Sequence, residues 1–451
     1  MNGEHSLPDG SLPIENTNEV PQPAVNDPNA PNFIPFIPAV GNGFVPIPDP
    51  NFTNMTLPLN GVPSQMDAMA PTQTISADEI ALYDRQIRLW GMQVQQRLRQ
   101  ANILLIGMRG LGNEIAKNLV LAGIGTLTVL DHELVTGEDL GVQFLVTEAH
   151  IGQNRAEAAL PELQKLNPRV ELYTDADDIK EKLPEYFHSF DITIATGLPV
   201  DVLCNINMAC RAYGRKFYAA DTHGMYGFIF ADLCLHDFVV EKPRSNRPSK
   251  IGDMETPTRS VTAVDSKREN QTITDIIAYH ETYTPLRLAN LSPLPARSRN
   301  TRRSKMRVTP LLSCLRALFD FQSQSGGHLP VIRRPADLAM FTRLANQKHL
   351  ELELLPETLR ADFLRSFLQN LGAEISPVVA YLGGYLAQDV INVLGQKEAP
   401  LQNFLLFDGE DFTATQYSLH PINDDAMAMM NTNGLPMMPG PVPAEGPVTV
   451  T

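Results

Sequence analysis

The order of apolar and polar positions predicts alternating strands and helices over the central part of the chain. Short apolar runs suit buried strands, and the longer segments between them repeat their apolar residues at helical spacing. The strands are predicted at residues 102–107, 126–131, 170–174, 191–196 and 216–221. This alternation predicts an α/β fold with a mostly parallel sheet and helices on both of its faces.

The ordered part is predicted to begin at a helix start. "SADE" reads as a capping box, in which Ser76 caps the helix and Glu79 reaches back to it. The helix extends to Gly91, a residue type suited to a helix C-terminus. Later strands are predicted at residues 225–233, 236–241 and 403–409, and later helices at about 308–322, 334–349, 356–370 and 376–394.

Composition separates this ordered part from two tails. Residues 1–75 hold 14 of the 36 prolines and few charges, so this segment is predicted to be disordered. Residues 421–451 form a second predicted disordered tail. Residues 76–420 are then one domain, with irregular insertions expected at about 242–272 and 292–307.

Charge and cysteine usage exclude several classes of protein. The net charge of -15 and a pI near 5.1 make a nucleic-acid partner a poor expectation. No stretch is expected to reach the roughly 18 apolar residues of a membrane helix, so no membrane partner is expected. The four cysteines form no CxxC pair, so neither a zinc site nor any other metal site is predicted.

The segment "LLIGMRGLG" (104–112) resembles a nucleotide-binding glycine loop, but it departs from the full pattern. Gly107, Gly110 and Gly112 permit the turn and close helix packing, whereas Arg109 stands where the second glycine admits the phosphates. Asp131 ends the next strand, where a ribose-binding acid would lie. These residues predict a loop that keeps its shape without binding a nucleotide. A NAD-dependent dehydrogenase would use the same fold, which alone does not settle function.

Several segments together resemble the activating enzymes of ubiquitin and ubiquitin-like modifiers, which have a Rossmann-like adenylation fold of the ThiF/MoeB type. The similar segments are "YDRQIRLWG" (83–91), "NILLIGMRGLGNEIAKNLVLAGIGTLTVLDHE" (102–133), "FDITIATG" (190–197), "ISPVVAYLGGYLAQDVINVL" (375–394) and "NFLLFDG" (403–409). Within that family, the short length and "LTVLDHE" are most similar to the small, non-catalytic subunits that serve SUMO.

The resemblance implies a heterodimer of two related halves. In that family the large catalytic subunit binds ATP and magnesium, adenylates the modifier's C-terminal glycine and then holds it as a thioester. The small subunit is needed but inactive alone. ATP, magnesium and the SUMO-type modifier are therefore expected mainly on the partner subunit. The family and the basic run 297–307 suggest a nuclear location, with the cytoplasm as a second compartment; the run is either a localisation signal or a solvated loop.

Further departures from the ATP-binding half agree with this expectation. That half carries a magnesium-positioning aspartate after the strand that matches "DITIAT", whereas this chain has residues 197–199, "GLP", and no carboxylate before Asp201. Arg155 replaces a lysine that faces the nucleotide in the competent half.

The resemblance assigns one catalytic role to this chain. In the family, the arginine that matches Arg85 reaches across the interface to phosphates of ATP bound by the partner. Asp84 and Arg88 are four residues apart and are predicted to pair, which leaves Arg85 available.

Three alternatives remain open. One is the small subunit for another modifier, such as NEDD8. Another is a self-sufficient adenylating enzyme similar to the bacterial MoeB and ThiF proteins. The third is a nucleotide-independent scaffold, for which Arg85 would be dispensable.

Overall fold

The computed structural model of the chain describes residues 76–269 and 272–421. The tails predicted at residues 1–75 and 421–451 lie outside the described residues, apart from Pro421. The helices are α1 (Ala77–Leu82), α2 (Asp84–Trp90), α3 (Met92–Gln100), α4 (Gly110–Ala122), α5 (Arg155–Leu166), α6 (Val200–Ala212), α7 (Leu286–Leu291), α8 (Ala296–Arg299), α9 (Arg302–Lys305), α10 (Leu311–Gln324), α11 (Pro335–Glu351), α12 (Ala361–Asn370) and α13 (Ser376–Gly395). The strands are β1 (Asn102–Ile106), β2 (Thr126–Leu130), β3 (Glu171–Asp175), β4 (Ile192–Thr196), β5 (Lys216–His223), β6 (Tyr226–Asp232), β7 (Leu235–Pro243), β8 (Met254–Thr256), β9 (Arg259–Glu269), β10 (Thr272–Thr282), β11 (Phe404–Asp408) and β12 (Thr413–Tyr417).

The main sheet has eight strands in the order β12-β11-β6-β5-β4-β1-β2-β3. Strands β1 to β5 run parallel, and β6, β11 and β12 extend the sheet through antiparallel pairs. The predicted α/β fold with a mostly parallel sheet is therefore confirmed. Because β1 lies between β2 and β4, the strand order reverses there. Ligands of such folds bind at the carboxyl ends of the strands beside that reversal.

Two apolar layers cover the faces of this sheet. One face packs against α3, α4, α5 and α13, and the other against α6, α7, α10, α11 and α12. The strands β1 and β4 read as continuous apolar runs because both of their faces are buried.

A second, four-stranded sheet corrects the expected irregular insertion at 242–272. Its order is β7-β10-β9-β8, and all its pairs are antiparallel. Phe238, Val261, Ile277 and Tyr279 form its small apolar cluster. Charged residues such as those of "DSKRE" (265–269) interrupt the alternation of β9, so the sequence pattern is too polar to indicate a strand.

The basic stretch 292–307 is also folded, contrary to the irregular loop expected there. It contains the short helices α8 and α9. Thr301 and Ser304 form a capping box at the start of α9. Four-residue helices carry too few apolar positions to show a period in the sequence.

Helix α13 corrects one further expectation. No stretch was expected to be long and apolar enough to cross a membrane. By length and composition alone, α13 is such a helix among the described residues. However, 61% of its most apolar stretch is buried inside the fold. A Cβ on Gly383 would lie 2.6 Å from Cβ of Glu114, so α13 packs closely against α4 in the core.

The N-terminal helix follows its prediction with one interruption. Ser76 and Glu79 form the expected capping box, with Ser76 N donating to Glu79 Oε2 over 3.0 Å and Glu79 N donating to Ser76 Oγ over 3.3 Å. The helix is interrupted at Tyr83, which separates α1 from α2, and it ends at Gly91 as predicted.

Candidate functional site

The glycine loop joins β1 to α4 at the reversal of strand order. Gly107 has φ +88°, a conformation that side chains disfavour, and it lies beside Thr196 at the end of β4. A Cβ on Gly112 would lie 2.0 Å from the carbonyl oxygen of Gly107, so the first turn of α4 packs directly on the loop. The turn and the close packing predicted from these glycines are both present.

The N-terminus of α4 already holds an anion, the carboxylate of Glu374. Its Oε2 accepts a hydrogen bond from Gly110 N over 2.9 Å, and its Oε1 accepts one from Leu111 N over 3.0 Å. A helix N-terminus with free N–H groups is the place where this kind of loop binds phosphate. The buried Glu374 side chain therefore takes up the donors that a nucleotide phosphate would need.

The presence of Arg109 in the loop is accounted for by its position beside this carboxylate. Its Nε lies 3.6 Å from Glu374 Oε2, so the guanidinium pairs with the internal anion. The residue that replaces the second loop glycine thus supports Glu374 at the helix end. Nothing in the sequence pattern indicated Glu374, because 264 residues separate it from Gly110.

Asp131, the candidate ribose-binding acid, is also fully engaged within the chain. Its Oδ2 accepts from Met108 N over 2.7 Å and lies 3.0 Å from Nη1 of Arg155, and its Oδ1 accepts from Glu133 N over 2.9 Å. Asp131 therefore holds the glycine loop against the start of α5.

Arg155 is the centre of a buried ion-pair cluster. Besides Asp131, it lies 3.1 Å from Glu133 and 3.3 Å from Asp139. Burial acts against its charge, but the three carboxylates prevail and raise the pKa of the guanidinium above its usual value. Arg155, which stands where the resemblance places a nucleotide-facing lysine, is thus engaged in ion pairs within the chain.

The cavity over the loop is too small for a nucleotide. Its volume is about 60 Å³, whereas small-molecule sites typically measure about 300–1,000 Å³. Its lining includes four carboxylates, from Asp131, Glu133, Asp221 and Glu374, against the guanidinium groups of Arg109 and Arg155. A triphosphate would meet both a steric and an electrostatic barrier here, so the residues present do not fit ATP.

Directly after β4, where the resemblance places the magnesium aspartate, Gly197 and Leu198 line the cavity instead of a carboxylate. Asp201 lies on α6 and accepts a hydrogen bond from Ser323 Oγ of α10 over 2.9 Å. Asp221, at the end of β5, lines the cavity and was not singled out from the sequence. Among residues 76–269 and 272–421, no group of three or more His, Cys, Asp or Glu side chains could hold a metal ion.

The four cysteines do not supply a nucleophile. Cys210, Cys234 and Cys314 are buried and Cys204 is partly buried, all as free thiols. Burial raises the pKa of Cys204 to about 11 and that of Cys210 to about 12, which keeps both as unreactive thiols.

Arg85 differs from the buried thiols and from the paired residues around the loop. Its side chain is exposed and has no hydrogen bond or ion pair with any described residue. On the next turn Arg88 pairs with Asp84 over 3.0 Å, as predicted from their spacing. The guanidinium of Arg85 is thus available to a group outside the described part of the chain.

The position of α2 keeps Arg85 away from its own glycine loop. Gln86 Nε2 donates to the carbonyl oxygen of Leu121 over 3.1 Å, which places α2 at the C-terminal end of α4. The loop is at the N-terminal end of this 13-residue helix, about 20 Å away. Arg85 therefore cannot serve a ligand at Gly107–Gly112.

Apolar side chains flank Arg85 on the exposed side. Leu82 is 58% exposed and Leu89 is 78% exposed, three residues before and four residues after Arg85. Leu89 lies one turn after Arg85 on α2, and Leu82 is the last residue of α1, just before the interruption at Tyr83. An exposed arginine between two exposed leucines is typical of a protein interface.

Comparison with known proteins identifies the family of the chain. The ThiF family model matches residues 83–426. The chain is 36% identical to the DNA damage tolerance protein RHC31 of Saccharomyces cerevisiae, over 75% of this chain and 96% of that protein. It is also 36% identical to the SUMO-activating enzyme subunit 1 of Homo sapiens and of Rattus norvegicus, in each case over 74% of this chain and 93% of the relative. The chain belongs to the ThiF family.

Proposed function

We propose that this chain is the small, non-catalytic subunit of a heterodimeric SUMO-activating enzyme. Its similarity to subunit 1 of such enzymes extends over nearly the whole length of those relatives. The complex would adenylate the C-terminal glycine of the modifier with ATP and then transfer the modifier to a cysteine of the large subunit. The buried thiols of this chain are consistent with a nucleophile on the partner.

The observation that carries this proposal is the contrast between Arg85 and the loop. Arg85 is exposed, unpaired among the described residues and distant from a loop that has no room for a nucleotide. We therefore assign ATP and magnesium to the large subunit. Arg85 would act in trans on that ATP as the catalytic residue of this chain, and Leu82 and Leu89 would pack against the partner around it.

The chemistry suits a guanidinium at this position. Attack of the glycine carboxylate on the α-phosphate places negative charge on the leaving pyrophosphate. A fixed arginine can offset this charge through charge-assisted hydrogen bonds. The pairing of Asp84 with Arg88 leaves the Arg85 guanidinium without a competing carboxylate on its own helix.

The rival functions have less support. A self-sufficient MoeB-type or ThiF-type enzyme would need the loop that Glu374 fills. A small subunit for another modifier, such as NEDD8, would be expected to match relatives of that kind, whereas the human and rat relatives above are named for SUMO. A scaffold without a catalytic role would not need an unpaired arginine inside an apolar interface.

We also propose that the complex works in the nucleus and in the cytoplasm. Support comes from the family resemblance. The basic run 297–307 adds little to it, because the run is folded into α8 and α9.

Modifier-dependent exchange between ATP and pyrophosphate tests the proposed function. We expect no exchange from this chain alone and full exchange when the SUMO-specific large subunit is added. Arg85→Ala should lower exchange by the reconstituted complex by about tenfold or more, because one lost charge-stabilising donor typically costs that much.

The matched control is Arg365→Ala, which removes an exposed arginine of α12 that pairs with Asp362 over 3.4 Å. It should leave exchange within about twofold, since exposed ion pairs contribute little. Exchange by the chain alone would favour the self-sufficient enzyme. Restored exchange that is insensitive to Arg85→Ala would favour the scaffold.

A further inference from the structure

A strongly basic segment stands out on this acidic protein. Residues 292–307 contain six Lys and Arg and no Asp or Glu, in a chain with a net charge of -15. We use "basic surface" for Arg297, Arg299, Arg303 and Arg307 together with two exposed apolar residues, Met306 of the same stretch and Leu291 directly before it. Nothing in the adenylation chemistry uses this segment.

The basic surface is a folded platform. Leu294 and Val308 are buried at the two ends of the stretch. Between them, Thr301 N donates to Ser304 Oγ over 3.1 Å and Ser304 N donates to Thr301 Oγ1 over 3.0 Å, which caps α9. The segment therefore presents its arginines from helical turns with fixed ends.

A buried charge fixes the beginning of the platform. Nη2 of Arg316, on α10, donates to the carbonyl oxygens of Ala289 and Ser292 over 3.1 and 2.8 Å. No carboxylate of the described residues lies within ion-pair distance of it, and burial lowers the pKa of Arg316 to about 10. Because burying an unpaired charge is costly, this contact marks a position where the chain path is firmly held.

The charges on the platform are only partly compensated. Arg302 lies 3.0 Å from Glu357 and Lys305 lies 3.6 Å from Glu353. The four arginines of the basic surface form no ion pair with a described residue. Leu291 and Met306, which are 67% and 58% exposed, add apolar area beside them.

We propose that the basic surface binds an acidic segment of another protein, one in which Asp or Glu residues alternate with apolar residues. Unpaired guanidinium groups match carboxylates, and the exposed Leu291 and Met306 match the apolar positions. This proposal is independent of the SUMO-activating function.

A protein segment fits this surface better than the other polyanions. A long nucleic acid would extend past this segment and meet the acidic remainder of the chain, whose net charge is -15. Recognition of the run as an extended localisation peptide would require α8 and α9 to unfold.

Fluorescence anisotropy with the full chain tests the proposal. The probe is a short fluorescein-labelled peptide of glutamate and leucine, and the comparison probe has glutamine at every glutamate position. We expect the acidic probe to bind, its affinity to fall with added salt, and the glutamine probe not to bind. The triple variant Arg297→Gln, Arg303→Gln, Arg307→Gln should bind the acidic probe about tenfold more weakly, since each exposed charge pair contributes modestly.

The matched control carries Arg333→Gln, Arg334→Gln and Arg343→Gln, three exposed arginines at and near α11, and should bind as the wild type does. Equal losses in both triple variants would mean that the probe senses only net charge, and this would overturn the proposal. So would the absence of binding by the wild type, or displacement of the probe by a single-stranded oligonucleotide of equal charge more readily than by unlabelled peptide. The far-ultraviolet circular dichroism of each variant shows whether it is folded.

Discussion

The two ends of helix α4 differ in whether the charged groups near them are paired within the chain. At its N-terminus, Glu374 accepts hydrogen bonds from the backbone N–H groups and pairs with Arg109. The neighbouring Asp131 pairs with Arg155. At its C-terminus, α2 contacts Leu121 and presents Arg85, which has no hydrogen bond or ion pair with residues 76–269 or 272–421. The loop end is closed by internal contacts, whereas Arg85 at the other end is exposed.

This difference shows how the chain's own side chains can fill a loop that has the shape of a nucleotide-binding turn. The donors of the helix N-terminus must be satisfied by some acceptor. Here a carboxylate from the residue two before α13 satisfies them, and it thereby ties the start of α13 to the start of α4. The loop has become a structural joint between two core helices.

Gly112→Ala should break this joint with the largest effect on stability. The new Cβ would lie 2.0 Å from a backbone oxygen of Gly107, which no side-chain rotation can relieve. We expect a loss of about 3 kcal/mol or more in the free energy of unfolding, measured by urea denaturation. Gly384→Ala is the control, because its Cβ would meet nothing within 4 Å in the middle of α13, and it should be neutral or slightly stabilising. Equal stabilities would refute the close packing.

Glu374→Ala should have the next largest effect. It removes two charge-assisted hydrogen bonds to the helix N-terminus, so we expect a loss of about 1–3 kcal/mol in the free energy of unfolding. The variant also uncovers Gly110 N, Leu111 N and Arg109, so inorganic pyrophosphate should raise its melting temperature and leave that of the wild type unchanged. Glu357→Ala, which removes an exposed carboxylate, is the control for both readouts. Stabilisation of the wild type by pyrophosphate would mean that Glu374 does not close the site.

Asp389 of α13 is a buried carboxylate that can be compared with Glu374. Its Oδ2 accepts from Tyr218 Oη over 2.7 Å and its Oδ1 accepts from Leu401 N over 2.9 Å. Burial outweighs these two bonds and raises the pKa of Asp389 to about 6. No positive charge or helix N-terminus contacts this carboxylate within the described residues.

The direction of the pH dependence follows from that raised pKa. The folded chain binds the proton more tightly than the unfolded chain, so the stabilisation is complete below about pH 4 and is lost as the pH rises through about 6. Asp389→Asn keeps a neutral side chain of the same shape. The stability of the variant relative to wild type should therefore increase by about 2–3 kcal/mol between pH 4 and pH 7, measured by urea denaturation across this range. A relative stability that does not change with pH would contradict the assignment.

The sequence predicted the features that depend on neighbouring residues. Apolar runs located β1 to β5, and the spacing of Asp84 and Arg88 predicted their pair. Features that join distant residues could not be predicted in this way. The contact between Glu374 and α4 spans 264 residues, and its carboxylate looks like any other acidic residue before a helix. The strands β8 to β10 were missed because their pairing with each other and with β7, rather than a strong apolar alternation, fixes them.

The most direct test of the account is the number of nucleotides that the heterodimer binds. Equilibrium dialysis with radiolabelled ATP should find no nucleotide on this chain alone and one on each heterodimer with the large subunit. The Arg85→Ala heterodimer should still bind one nucleotide while its pyrophosphate exchange falls. Nucleotide bound by the isolated chain, or two nucleotides on each heterodimer, would contradict the claim that the loop is closed and that Arg85 acts on ATP of the partner.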